Sequence, residues 1–423
     1  MAMEPQNPVE WLVFQTMLWT WPLYAFGALY AVGPILGWAL GGFVALVLYL
    51  GPIVRNDLQP TGPIPAVIWA WIGCMLAMLF ILWIGLANWS FSPSQVIRSS
   101  VGWAKGWALM ALFPLVGAAF PIRRLILVRG HCMVGLCTLC LLPLLLIAPL
   151  LGLPERLYTS PLKILGGPGS EYFAVFFYSI DPSNMSPRWQ FFAPWSPFAA
   201  LLGVTTVIFA LEETVPKWRA IGVAAGVVMV LMSKSRMGLV GLVICPIAPR
   251  CLAVLAYRRS WQVISIGTIV LTLLNGPLLR SAEAALRSFK EARADSTRVR
   301  ETLGRIAIER WQQEAFWFGH GRVAPGSHLV EYMPIGSHHT WYGLLFVKGA
   351  LGFLALAIPL LWQLTLALSD TMTSSRGMLP LGVLLVFLLM SFGENIEIEV
   401  YLFWPSLILL GIHAREIEAG SVR

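Results

Sequence analysis

Residues 64–87 read IPAVIWAWIGCMLAMLFILWIGLA, a run from Ile64 to Ala87 without one charged side chain. A helix crossing the hydrocarbon of a bilayer needs about 20 such residues, somewhat fewer where flanking residues snorkel. The run therefore predicts a transmembrane helix, and its neighbours repeat the pattern. Apolar residues make up 57% of the 423-residue chain and charged residues only 12%, with mean hydropathy +0.73. A soluble domain carries about 25% charged residues, so the sequence is that of an integral membrane protein.

The same rule places about twelve spans, near 14–32, 34–52, 64–87, 103–120, 132–151, 196–212, 219–234, 237–256, 261–279, 341–367, 378–393 and 399–413. The expected fold is all-α and polytopic. It divides into N-terminal spans over 1–151, a loop over 152–195, central spans over 196–279, a helical loop over 280–340, and C-terminal spans with a short tail over 341–423. The first twenty residues lack a basic segment followed by a short apolar core and a small-residue cleavage site, so no removable signal peptide is expected. The segment from Trp19 to Val32 is expected to stay in the first span.

Lys and Arg in short loops set the orientation of such a chain. If the spans alternate, Arg55, Arg123, Arg124, Arg129, Lys217, Arg219, Arg258, Arg259 and Arg376 share one side, expected to be the cytoplasm, with both termini. Segments 88–102, 152–195, 280–340 and 394–398 then face outward. The net charge of +8 is scattered over loops, which fits topology and anionic lipid headgroups rather than nucleic acid. Cys74, Cys132, Cys137, Cys140, Cys245 and Cys251 all lie in or beside apolar runs, leaving the outward loops without disulfides. Cys137-x-x-Cys140, near His131 and Cys132, lacks the polar surroundings of a metal site and fits core packing.

The outward loops differ in character. Within 152–195, the turn-forming Gly166-Gly167-Pro168-Gly169 precedes Tyr172, Phe173, Phe176, Phe177 and Tyr178, an aromatic run expected to lie at the interface or re-enter the bilayer. Residues 280–340 form an island of charge holding Arg287, Arg293, Arg298, Arg300, Arg305, Arg310 and Arg322. There Asp295-Ser296-Thr297 offers helix caps, and Leu303, Ala307, Trp311, Ala315 and Phe318 recur at helical spacing. An amphipathic helix docked on the membrane face of the domain is expected, with Arg298, Arg305, Glu309 and Gln312 on its polar face. Gly319-His320-Gly321 ends it, too short a pattern to signify a nucleotide site.

Four positions could carry chemistry. Arg188 lies in Pro187-Arg188-Trp189-Gln190-Phe191-Phe192-Ala193-Pro194, and Arg236 in Ser235-Arg236-Met237-Gly238, between two apolar runs where a charge is costly. Arg300 sits in the island, and His338 in Gly336-Ser337-His338-His339-Thr340 at the head of a span. Arginine grips phosphate with a planar fork of donors. Histidine can take a proton from a hydroxyl near neutral pH, and nearby arginines would keep it neutral. Taken singly, an interfacial arginine is more often a snorkelling anchor, and a capping or core role fits His338 at least as well. Arg298 and His339 are secondary candidates. Glu394, Glu397 and Glu399 could couple ions or pair with the arginines.

The order of these pieces resembles the O-antigen ligase and polymerase superfamily. Ser337-His338-His339-Thr340 entering a span with Gly349 and Gly352, Arg300 followed by a helix and Phe318-Gly319-His320-Gly321, Ser235-Arg236-Met237-Gly238, and Pro187-Arg188 through Pro194-Trp195-Ser196 are similar to its segments, over residues 185–365. His339 stands where the family has Asn, Trp195 where Asn is common, and Gly304 where Trp is common.

The resemblance implies a GT-C type glycosyltransferase of the bacterial inner membrane with a periplasmic active site, needing no nucleotide sugar, metal or other cofactor. The donor would be a glycan on undecaprenyl diphosphate and the acceptor lipid A–core, with His338 as base and Arg188, Arg236 and Arg300 on the diphosphate. An O-antigen polymerase, with a second lipid-linked glycan as acceptor, is the nearest alternative. A protein O-oligosaccharyltransferase comes next. A secondary transporter would instead predict broken helices and ionisable residues near the bilayer midplane.

Overall fold

His338 and Glu394 stand just ahead of the helices 340–373 and 396–421, whose packing fixes where the site lies. In the computed structural model, residues 4–51, 62–181, 185–255 and 294–421 are described. Seven helical segments among them are long and apolar enough to cross a membrane, against about twelve spans expected: Leu29–Leu50, Ala66–Asn88, Pro93–Ala119, Arg124–Leu150, Arg236–Leu255, Thr340–Thr373 and Ile396–Gly420. Two shorter apolar helices, Ser196–Leu211 and Ser375–Ser391, accompany them. The expected span 261–279 lies outside the described residues, as do Arg55, Arg258, Arg259, Arg287 and Arg293.

Small residues let these helices approach closely, as they do where lipid offers no hydrophobic drive for association. A Cβ on Gly117 would fall 2.0 Å from the Ile408 carbonyl oxygen, and one on Gly411 would fall 1.9 Å from that of Pro114. The Leu109–Ala119 and Ile396–Ser421 helices are thus in backbone contact. Ser196–Leu211 lies along Pro216–Met232, and Ala66–Asn88 along Thr340–Thr373.

Two boundaries differ from those expected. The turn predicted at 32–34 is absent: Leu29–Leu50 runs unbroken through Pro34, and the chain bends instead at Phe26-Gly27-Ala28, where Gly27 has φ +63°. Gly33 and Pro34 are held in the helix by packing, with Gly33 against Tyr401. The expected span 103–120 is two helices, Pro93–Lys105 and Leu109–Ala119, joined at Gly106.

The basic residues assigned to one side do meet. Arg123 binds Glu10 at 2.7 Å, Arg124 reaches the Arg376 carbonyl at 2.6 Å and pairs with Glu416, and Arg129 binds Glu213 at 2.7 Å. Arg219 donates to the Glu213 carbonyl at 2.8 Å.

The 152–195 loop contains strands that its sequence did not signal. It forms two small antiparallel hairpins, Arg156–Thr159 with Ala174–Phe176 and Ser179–Asp181 with Ser186–Arg188. Tyr172 and Phe173 are buried inside the protein, with ring centroids 5.2 and 5.4 Å from Tyr30. Tyr30, Trp195 and Tyr401 pack on these rings.

Candidate active site

The Thr340–Thr373 helix is broken at Gly349, which has φ +66° and ψ −169°. A break interrupts the helical hydrogen-bond ladder, and the orphaned groups need other partners. Residues 316–321 supply them. His320 and Gly321 donate to the carbonyls of Phe346 and Val347 at 2.9 and 2.8 Å, while Ala350 donates to Phe316 at 2.9 Å. The contact requires glycine on both sides, because a Cβ on Gly319 would lie 2.4 Å from the Val347 carbonyl carbon and one on Gly349 2.3 Å from that of Trp317. The Gly-x-Gly of the sequence is therefore a backbone splice that anchors the far end of the charge island.

The island's helix docks beside this splice. Ala294–Glu314 is helical, so Asp295-Ser296-Thr297 lies within the helix and not ahead of it. Val299, Leu303 and Ala307 are buried with Val330, Ile335 and Phe346, while Arg298, Arg305, Glu309 and Gln312 are exposed. The apolar stripe packs against the chain's own 330–346 segment.

The His338 segment is held by the turn between the last two helices. Thr340 Oγ1 donates to the Glu394 carbonyl at 2.7 Å and accepts from Ile396 N–H at 3.0 Å, and Trp341 Nε1 donates to Ser391 Oγ at 2.8 Å. These bonds bring His338 and His339 beside Glu394. His339 is the N-cap of the following helix: its Nδ1 accepts from Tyr342 N–H at 3.3 Å and its ring stacks on Tyr342 at 3.9 Å. Gly304 leaves room for that ring, since a Cβ there would meet Tyr342 at 2.8 Å. His338 has φ +62°, a left-handed conformation uncommon for a residue with a side chain. Its ring makes no hydrogen bond among the described residues.

Arg300 joins the two histidines. A cavity of about 700 Å³ runs between Arg300, Gly304, His339, Tyr342 and Phe392, and a smaller recess adjoining it is lined by Arg300, Ser337 and His338. Arg300 Nη2 lies 3.7 Å from Glu394 Oε1. Burial, and then the Arg300 charge, lower the His338 pKa, and the same causes lower His339 to about 4. Both imidazoles are neutral at neutral pH. Burial raises Glu394 to about 7 against the opposing charge of Arg300. Arg298, two residues along the helix, does not line this cavity. Positions two apart on a helix are about 200° apart around its axis.

Arg188 and Arg236 flank the turn that leads into the Arg236–Leu255 helix. Arg188 Nε donates to the Ser233 carbonyl at 3.3 Å, with Nη1 3.7 Å from Asp181. Ser233 opens the turn into Arg236–Leu255, where Ser235 Oγ accepts from Gly238 N–H at 3.2 Å and caps the helix. The next residue after Arg236 touches the site: a Cβ on Gly393 would lie 2.9 Å from Met237 Sδ and 3.9 Å from Arg300 Nη1. Arg300 lines both the recess and the cavity, Arg188 is tied to the 233 turn and Asp181, and Arg236 neighbours Met237, which meets Gly393; neither Arg188 nor Arg236 lines the recess or the cavity.

Sequence reasoning grouped Glu394 with Glu397 and Glu399 and did not single it out. A carboxylate at a span end, on the surface where arginines collect, was the available signal. Tyr342 and Phe392 carried no signal of their own. The six cysteines are free, and His131 stacks on Phe209 at 3.9 Å. Among the described residues no three His, Cys, Asp or Glu side chains are grouped to hold a metal ion. The chain is mostly helical and polytopic; it matches no protein-family model, and no curated protein matches it either.

Proposed function

We propose that the chain is a membrane glycosyltransferase that moves a glycan from undecaprenyl diphosphate to lipid A–core, at the periplasmic face of a bacterial inner membrane. The observation carrying this is the juxtaposition of Arg300 with His338, which is neutral and makes no hydrogen bond among the described residues, in one recess opening on a cavity large enough for sugar. The resemblance in residues 185–365 supplies the substrate class. The grouping of Arg123, Arg124 and Arg376 at one surface favours a cytoplasmic assignment for that surface and for both termini.

The chemistry needs a base and positive charge. His338 takes the proton of an acceptor hydroxyl as its oxygen attacks the anomeric carbon of the donor. The bond from that carbon to the diphosphate oxygen breaks, and its electron pair leaves with undecaprenyl diphosphate. Arg188, Arg236 and Arg300 meet the growing negative charge, so no carboxylic acid is needed for the leaving group. Attack opposite the leaving group inverts the anomeric carbon.

Purified protein incubated with lipid-linked glycan, with and without lipid A–core, tests this directly. Product only with lipid A–core supports a ligase. Polymerised glycan in both tubes would make the protein a polymerase, and no transfer in either would remove the transferase assignment. Activity lost in EDTA and restored by a divalent ion would overturn a metal-independent mechanism.

A further inference from the structure

A second cavity, of about 670 Å³, reaches Glu397 and Ile398 at the start of the Ile396–Ser421 helix and shares no lining residue with the His338 recess. Its charge is lopsided. Arg98, Lys105, Arg322 and Lys348 line it, against one carboxylate, Glu397. Lys105 Nζ donates to the Leu165 and Gly166 carbonyls at 2.7 and 2.8 Å, contacts that leave its charge uncompensated. Arg322 lies over the Phe91 ring at 4.5 Å, and Lys348 over Trp107 at 4.9 Å. Among the described residues neither these two nor Arg98 makes an ion pair.

Lys348 is the telling member. It is only 7% exposed and lines the cavity with no hydrogen-bond acceptor among the described residues, and Glu397, on the same cavity, is the counter-charge it feels beyond ion-pair distance. A buried ammonium is normally paired or neutralised. The Gly349 break, with its splice to residues 316–321, places Lys348 and Arg322 in one wall. The remaining wall is aromatic, with Tyr30, Trp103 and Trp107. Its rim, beside Ile97, Val101 and Leu165, is apolar and exposed.

We propose that this cavity binds a phosphate-bearing sugar headgroup, the phosphate held by Arg98, Arg322 and Lys348 and the sugar face laid against the indoles. Phosphate suits the arginine forks, and aromatic rings suit the apolar face of a sugar. The site is distinct from the His338 recess and does not depend on the transfer reaction.

Full-length protein in phosphatidylcholine nanodiscs is titrated with monophosphoryl lipid A incorporated in the same discs, and separately with soluble glucosamine 1-phosphate. Binding is read by native mass spectrometry. Arg98 and Arg322 are exposed, so the double variant R98Q/R322Q keeps its packing; it should bind at least tenfold more weakly, whereas R250Q, at the opposite surface, should bind as the parent does. Preference for the lipid identifies a membrane headgroup as the source, and equal binding of glucosamine 1-phosphate identifies a free sugar phosphate; both support the site. Undiminished binding by R98Q/R322Q overturns it, as does equal retention of glucosylceramide, which has the sugar but no phosphate. The K348M variant is a second measure, expected to weaken binding with its thermal midpoint checked alongside.

Discussion

Arg300 Nη2 stands 3.7 Å from Glu394 Oε1, with the arginine side chain 47% exposed and the glutamate 5%. A half-exposed cation does not overcome the burial of its partner, and Glu394 is raised to about 7. As pH falls through 7 the carboxylate gains a proton, while Arg300 keeps its charge. The site then becomes more positive. Donor KM should fall as pH is lowered across this range, by a few-fold to about tenfold given solvent screening. The E394Q variant should show the low KM throughout; a pH dependence identical to the parent's would detach Glu394 from donor binding.

The adjacent histidines should separate cleanly. His338→Ala should lower transfer by about 10²–10⁴-fold, the usual scale of general-base catalysis, when lipopolysaccharide is measured in a ligase-deficient strain at matched expression. His339→Asn keeps a good N-cap and should retain activity, whereas His339→Ala should cost about 1 kcal/mol of stability with a modest loss of rate. Full activity in His338→Ala would remove the base.

Arg300→Lys preserves charge but not the fork. It should lose most activity, because a point charge cannot reproduce paired hydrogen bonds to a diphosphate. Parent-like kcat/KM in this variant would place Arg300 outside the donor site.

The glycines of the splice should be intolerant. Gly319→Ala and Gly349→Ala each place a Cβ against backbone at positive φ, and Gly349, at φ +66° and ψ −169°, holds a conformation essentially restricted to glycine. Each should lower the thermal midpoint in detergent. Gly42→Ala, with open space around it, is the control and should not.

Arg129 and Glu213 form a bidentate pair, at 2.7 and 3.0 Å, that is nearly closed to solvent. Arg129→Met strands a buried carboxylate and should cost about 3–5 kcal/mol, while R129M/E213M should recover much of that loss. A thermal double-mutant cycle measures the coupling.

Long apolar runs such as 64–87 were legible because length and composition alone decide them. The polar face of the 294–314 helix was legible from its period. The bend at 26–28 was hidden, since Gly33-Pro34 offers the stronger local turn signal and only contact with Tyr401 overrides it. The burial of Tyr172 and Phe173 likewise depends on Tyr30, some 140 residues away. At the site, each arginine was visible by residue type, but the place of Glu394 depends on Thr340 and Ile396. The cations of the second cavity come from elements distant in sequence, and no local pattern joins them.

The splice at Gly349 also bears on how the chain is assembled. Hydrogen bonds that complete the upper part of the Thr340–Thr373 helix are made by residues 316–321, which leave the ribosome earlier. That helix cannot reach its final form within the membrane until the charge island has arrived at its own surface. Placement of the island and completion of the helix after it are therefore coupled, and neither segment reaches its final form alone.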